Sequence, residues 1–188
     1  MLAIALTAAA GGARADAHDR CGAWDWRPVS GTLSPGERCG VVVLTGDARG
    51  AGASTGRAVY DADVAGRGRH TLTIQRLTAD GGSIQIEFPG GWLLLGDGKV
   101  GLYTSESQWA ADGGYQPLPA SLAQRRLAER TRVELQLDDA DVTARVEGVL
   151  VGRWHVGHLP ARGSLAVWIT APAGQRPRLR ISDWALTR

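Results

Sequence analysis

The fold class this sequence predicts is all-β: an antiparallel β-sandwich with one short helix. Three observations predict it. Short runs alternate between apolar and polar residues, Gly- and Asp-containing turns separate the runs, and a single stretch carries a helical pattern. Many short, half-buried strands joined by tight turns must bury their apolar faces against one another, which gives a sandwich or a barrel.

Each element follows from its own pattern. Arg69 to Leu77 places Leu72, Ile74 and, after a slip, Leu77 on an apolar side. Ser83-Ile84-Gln85-Ile86-Glu87-Phe88 alternates strictly, so Ile84, Ile86 and Phe88 point inward while Ser83, Gln85 and Glu87 share the opposite face. Trp92–Leu95 and Lys99–Thr104 flank Gly96-Asp97-Gly98. With Asp97-Gly98 as a two-residue turn they form a hairpin, with Leu93 and Leu95 facing Val100 and Leu102, and Trp92 opposite Tyr103.

A second hairpin is specified to the residue. With Asp139 and Ala140 central, Val133, Leu135 and Leu137 face Val146, Ala144 and Val142. The other face then sets Glu134 against Arg145 and Arg132 against Glu147, opposite-charge pairs worth a few tenths of a kcal/mol each. Glu147-Gly148 turns the chain into Val149-Leu150-Val151. Ser164–Thr170 alternates with Leu165, Val167 and Ile169 on one side. In the last run, Leu179 and Ile181 are in phase and Trp184 and Leu186 resume out of phase, which predicts a bulge at Ser182-Asp183. Ser121–Arg130 reads as the helix, with Leu122 and Leu127 apolar and Ser121 as its cap. The Gly- and Ala-rich segment Asp47–Gly56 reads as a loop.

The composition narrows the function classes. Across 188 residues the hydrophobic share is 44% and the charged share 21%, ordinary for one globular domain. The net charge is +2 with no run of like charges, and Lys99 is the only lysine, so the electrostatic footprint of nucleic acid binding is missing. Residues 1–17 resemble an export signal: a short apolar stretch, Met1–Ala10, precedes the small-x-small pattern Ala15-Asp16-Ala17. Cleavage after Ala17 leaves residues 18–188 as one β-sandwich domain in a secreted or periplasmic setting. No second long apolar run exists to span a membrane in the mature chain. In an oxidising compartment Cys21 and Cys39 pair and staple the N-terminal segment 18–55, which contributes about 3 kcal/mol by the chain-entropy argument. A metal or thiol-redox role needs closer spacing or more ligands.

From about Gly56 onward the order of elements resembles the concanavalin A-like jelly-roll superfamily, which includes legume lectins, laminin G-like modules and family 16 glycoside hydrolases. Three stretches carry the likeness: Thr131–Leu137 with Val142–Val151, the closing Ile181-Ser182-Asp183-Trp184-Ala185-Leu186, and Ser83–Phe88. The last sits where the hydrolase members carry E-x-D-x-E. The resemblance implies that the first Glu of that motif attacks the sugar and the last is the acid/base. Here the matching positions are Ser83, Gln85 and Glu87, so the two-step mechanism lacks its nucleophile. The resemblance therefore implies the fold and leans away from an enzyme.

The face opposite the core is the candidate site. Gln85, Glu87, Trp92 and Tyr103 share it if the first hairpin neighbours the Ser83–Phe88 strand, and Trp109 is expected at its rim with Tyr115. Aromatic planes suit the C–H faces of sugars, while Gln and Glu suit hydroxyls. Packing competes with this reading, because the seven tryptophans can fill a second core layer. No catalytic residue is expected, other than Glu87 if the chain is an enzyme. No cofactor is expected beyond a structural calcium, for which Asp183 matches the superfamily's ligand position and Asp61 and Asp63 share a strand face. His155 and His158, three apart, point to opposite faces of a strand and do not make a zinc site without a turn. The leading expectation is a non-catalytic glycan-binding module. The alternatives are a lyase or diverged hydrolase using Glu87, and a structural or adhesive envelope domain.

Overall fold

Two-residue periodicity sorts the chain into strands that bury one face each, and the strands assemble as two seven-stranded sheets. The computed structural model describes residues 26–47, 54–60, 64–65, 67–78, 82–96, 98–103, 115–123, 129–155 and 159–187. The first sheet runs in the order β1 (Trp26–Ser30), β4 (Ser54–Tyr60), β15 (Ala166–Ala171), β7 (Ile84–Phe88), β8 (Gly91–Gly96), β9 (Lys99–Tyr103) and β10 (Tyr115–Pro117). The second runs β13 (Val149–His155), β12 (Asp141–Val146), β11 (Thr131–Asp138), β6 (Gly68–Arg76), β16 (Arg178–Thr187), β3 (Val42–Thr45) and β2 (Thr32–Pro35). A small ribbon pairs β5 (Val64–Ala65) with β14 (Arg162–Gly163). Neighbouring strands are antiparallel throughout both sheets.

The core lies between the sheets. The first contributes Ile84, Ile86, Phe88, Leu93, Leu95, Val100, Val167 and Ile169, and the second answers with Leu44, Leu72, Ile74, Val133, Leu135, Val142, Leu179 and Ile181. Each large aliphatic buried this way contributes about 1.5–3 kcal/mol. Both hairpins have the expected registers. Leu95 pairs with Val100, Leu93 with Leu102 and Trp92 with Tyr103. Val133 pairs with Val146, Leu135 with Ala144 and Leu137 with Val142. The turn into β13 puts Glu147 at φ 52° and Gly148 at φ 79°, with Val146 opposite Val149. Two consecutive left-handed residues make a type I′ turn, whose twist matches that of the strands.

The charges around the second hairpin are used differently from the expectation. Glu134 lies opposite Arg145, but its carboxylate is 3.5 Å from Arg69 on β6, and Arg145 donates to the Gly148 carbonyl at 3.2 Å. Glu147 accepts the backbone N–H of Arg132. A central strand has neighbours on both sides, so the long arginine of β6 competes for Glu134.

Three further readings are corrected. In β6 the inward sequence is His70, Leu72, Ile74 and Arg76, without a slip to Leu77. Arg76 is buried and donates to the Gly82 carbonyl at 3.1 Å. The end of the segment read as a loop is a strand, because Ser54-Thr55-Gly56 opens β4. A Cβ on Gly56 would lie 3.0 Å from Gly46 Cα, so this glycine marks two backbones in contact. The described helix is only α1 (Ala120–Ala123), and Ser121 lies inside it instead of capping it; residues 124–128 lie outside the described residues. Buried Leu122 anchors it, and the Leu122 N–H bonds the Pro119 carbonyl at 2.8 Å. Residues 1–17, expected to form an export signal, and Cys21 also lie outside the described residues. Among the described residues, no helix is long and apolar enough to cross a membrane.

Candidate functional site

Cross-strand pairing builds the outward face of the first sheet. One row reads Val59–Ala166–Glu87–Trp92–Tyr103 across β4, β15, β7, β8 and β9. The adjacent row reads Arg57–Trp168–Gln85–Leu94–Gly101. Directly paired residues project to the same side, so Gln85, Glu87, Trp92 and Tyr103 do share one surface.

Their environments differ. Trp92, Gln85 and Glu87 are half-buried, but Tyr103 is 1% exposed and cannot offer its ring to a ligand. Gly101 explains this. A Cβ there would stand 3.0 Å from the Tyr103 ring, so the missing side chain leaves the slot that the ring fills. Leu94, in the adjacent row, is also buried, so part of this outward face is packed away from water. Trp109 lies outside the described residues. Trp26, Trp154 and Trp184 pack against the core, as the competing reading anticipates for some of the tryptophans.

Glu87 is the centre of a polar cluster. Arg57 Nη2 donates to its Oε2 at 2.7 Å, Trp168 Nε1 donates to the same oxygen at 3.2 Å, and Ser164 Oγ donates to Oε1 at 3.0 Å. The Arg57 guanidinium also lies over the Trp168 ring, 4.5 Å from its centroid, in cation–π geometry. Arg57 and Glu87 side chains are only 23% and 17% exposed, so water screens their attraction weakly. Arg57, Trp168 and Ser164 were not among the residues expected at this face. Trp168 had a signal: it sits out of phase with Leu165, Val167 and Ile169, on the side where a strand keeps its polar residues. Arg57 and Ser164 had none, because their partner is 30 and 77 residues away.

On the second sheet Asp183 occupies the expected bulge, at φ 54°, where the β16–β6 register shifts between Ser182 and Ala185. Its carboxylate accepts from Ser182 Oγ at 2.9 Å, Arg130 at 3.2 Å and Arg38 at 3.5 Å. These surroundings do not fit calcium: two guanidiniums already supply the positive charge, and an ion would have to displace them. Asp61 and Asp63 lie outside the described residues. Among the described residues, no three His, Cys, Asp or Glu groups are arranged to hold a metal. His155 is exposed and 3.0 Å from Asp141, while His158 lies outside the described residues.

Burial raises the Asp183 pKa, but hydrogen bonds from Ser182 and Thr73 and the charges of Arg38 and Arg130 outweigh it, leaving it below the ordinary aspartate value. A carboxylate with a depressed pKa stabilises the fold above its unfolded value, and that contribution is lost as pH falls through the folded value. Asp183→Asn keeps a residue that tolerates positive φ and removes only the charge. The variant is expected to be less stable than the parent at neutral pH. The gap is expected to narrow as pH falls below the ordinary aspartate range and to close once pH is below the depressed folded-state value, as read from denaturation midpoints at both ends. A gap that persists in acid would assign the effect to the backbone.

No family model matches the chain, and no curated protein matches it in sequence. Solved structures do match the two-sheet arrangement. A laminarinase from Flavobacterium sp. UMI-01 superposes with a TM-score of 0.59 at 9% identity, covering 87% of this chain and 93% of that one. The lectin UEA-II, complexed with galactose, gives 0.56 at 13% identity, with 85% and 91% covered. The fold is the concanavalin A-like jelly roll. A sialidase contains the same jelly roll at TM-score 0.57 and 14% identity; this chain matches 87% of its own length to 17% of that protein. At such identities the likeness is one of fold, and a jelly roll hosts many activities.

Proposed function

We propose that this jelly roll is a non-catalytic glycan-binding module. The observation that carries the reading is the state of Glu87. Three donors already occupy its carboxylate, which has about four lone-pair sites, so it is built as a strut rather than as a free acid/base. Gln85 and Ser83 stand where a hydrolase of this fold needs a second and third carboxylate. Beside the strut, half-buried Trp92 supplies the apolar plane that sugar C–H faces favour, and Gln85 supplies amide hydrogen bonds. The neighbours lend support from both sides: one is a lectin complexed with galactose and another a laminarinase. Buried Tyr103 takes no part in the contact surface, which therefore centres on Trp92, Gln85 and the Glu87 cluster.

Glycan-array binding tests this. The intact protein is expected to bind at least one glycan class, and Trp92→Ala is expected to weaken that binding about tenfold, the equivalent of roughly 1.4 kcal/mol. No signal from the parent, or equal binding by a folded variant, overturns the reading in favour of a structural or adhesive domain. Turnover of a bound glycan that Glu87→Gln abolishes would favour the enzyme.

Export belongs to the same proposal: residues 1–17 are removed after Ala17, residues 18–188 form the working domain, and Cys21 joins Cys39 in a secreted or periplasmic protein. Intact mass spectrometry of the exported protein is expected to show His18 as the first residue and a mass two hydrogens below the reduced form. A full-length chain with two alkylatable thiols would refute both parts.

A further inference from the structure

The charge balance of the outward face bears on what kind of sugar it takes, an inference that rests on the glycan reading above. Among the described residues on this side of β1, β4, β15, β7, β8 and β9, the charged groups are Arg27, Arg57, Glu87 and Lys99; Arg27 sits on edge strand β1 opposite Val59, three strand spacings or about 14 Å of backbone from Glu87. Arg57 and Glu87 are 2.7 Å apart and cancel one another. Lys99 pairs with Gly96 at the far end of the hairpin, four residues along β8 from Trp92. At 3.2–3.4 Å per residue that is about 13 Å, beyond a Debye length at physiological salt. Among the described residues, the centre of the face around Glu87 and Trp92 therefore presents a dipole with no net charge.

A dipole of this kind suits one ligand chemistry better than another. A uronate or sulfate group would meet Arg57 with its charge already satisfied and Glu87 as a repelling neighbour. A hydroxyl both donates and accepts. Arg57 retains N–H donors beyond the one spent on Glu87, and Glu87 retains an acceptor site beyond the three that are filled. Two adjacent hydroxyls of one sugar ring can take one bond from each member of the pair. The geometry is held in advance, because Trp168 both stacks under the guanidinium and bonds the carboxylate. We propose that the ligand is an uncharged sugar, read through neighbouring hydroxyls by the Arg57–Glu87 pair, with Trp92 as the apolar floor.

The test uses the intact protein on an array carrying neutral hexose, uronate and sulfated oligosaccharides as separate sets, at several salt concentrations. The parent is expected to prefer the neutral set, with affinity changing by less than about twofold from about 0.05 to about 0.5 M NaCl. Glu87→Gln leaves Arg57 without its counter-charge and is expected to move the preference toward the acidic sets, with binding that salt weakens about fivefold or more. A parent that prefers uronates or sulfates and loses them with salt overturns this inference while leaving glycan binding intact. So does a folded Glu87→Gln variant with unchanged preference. Absence of signal on every set overturns the glycan reading itself. If Glu87→Gln does not fold, the salt series on the parent decides alone.

Discussion

Ile86→Asn is expected to remove about 3–6 kcal/mol of stability, whereas Gln85→Asn, one residue earlier in the chain, is expected to cost less than about 1 kcal/mol. The two positions point to opposite sides of β7, one sealed between the sheets and the other partly open to water. Ile86 is 0% exposed and sits between the sheets, so asparagine there loses the apolar burial and strands an amide. Gln85 is half-buried on the outward face, opposite Leu94 and Trp168. Against a total stability of about 5–15 kcal/mol, the first change is severe and the second minor. Denaturant midpoints of the two variants measure the contrast, and similar losses would contradict the register of β7.

The second large effect concerns the Glu87 cluster. Glu87→Ala removes the acceptor for Arg57, Trp168 and Ser164 together, and Arg57→Ala leaves the carboxylate half-buried without its cation. Each single change is expected to cost about 1–3 kcal/mol, below the 3–5 kcal/mol of a fully buried pair because both groups retain some contact with water. The double variant is expected to lose less than the sum, with a coupling of about 1–2 kcal/mol in the cycle. Additive losses would mean that the pair is not a unit, and would remove the physical basis for treating Glu87 as a strut.

Strands β6, β7, β8, β9, β11, β12, β13, β15 and β16 and both hairpin registers are legible in the sequence, and the reasons are local. Val133, Leu135 and Leu137 meet their partners because the turn at Asp139-Ala140 allows one register that buries all six apolar residues. The bulge at Asp183 was visible as a change of phase between Ile181 and Trp184. The misreadings share a different origin. Asp47–Gly56 reads as a loop from its composition, but Gly56 lies within β4, where its lack of a side chain admits the backbone of Gly46. Leu77 looked like the next core residue, but Arg76 holds the inward position and finds the Gly82 carbonyl. Tyr103 was placed on the correct face, yet whether it would be open depended on Gly101 beside it in the fold. Glu134 was assigned the partner across its hairpin, when the neighbour on its other side reached it.

The candidate site shows the same division. Gln85, Glu87 and Trp92 could be placed on one surface from alternation and a single turn, because the side-chain period of a strand and the φ angles of a two-residue turn are properties of consecutive residues. Local pattern thus sets both hairpins and, from Ser83 to Phe88 and Thr131 to Val146, the layer to which each side chain belongs. Only the tertiary structure decided that β15 lies between β4 and β7, and hence that Arg57, Ser164 and Trp168 converge on Glu87. The order of strands within a sheet depends on how two apolar faces close over a common core, a condition set by the whole chain at once and written in no short stretch of it.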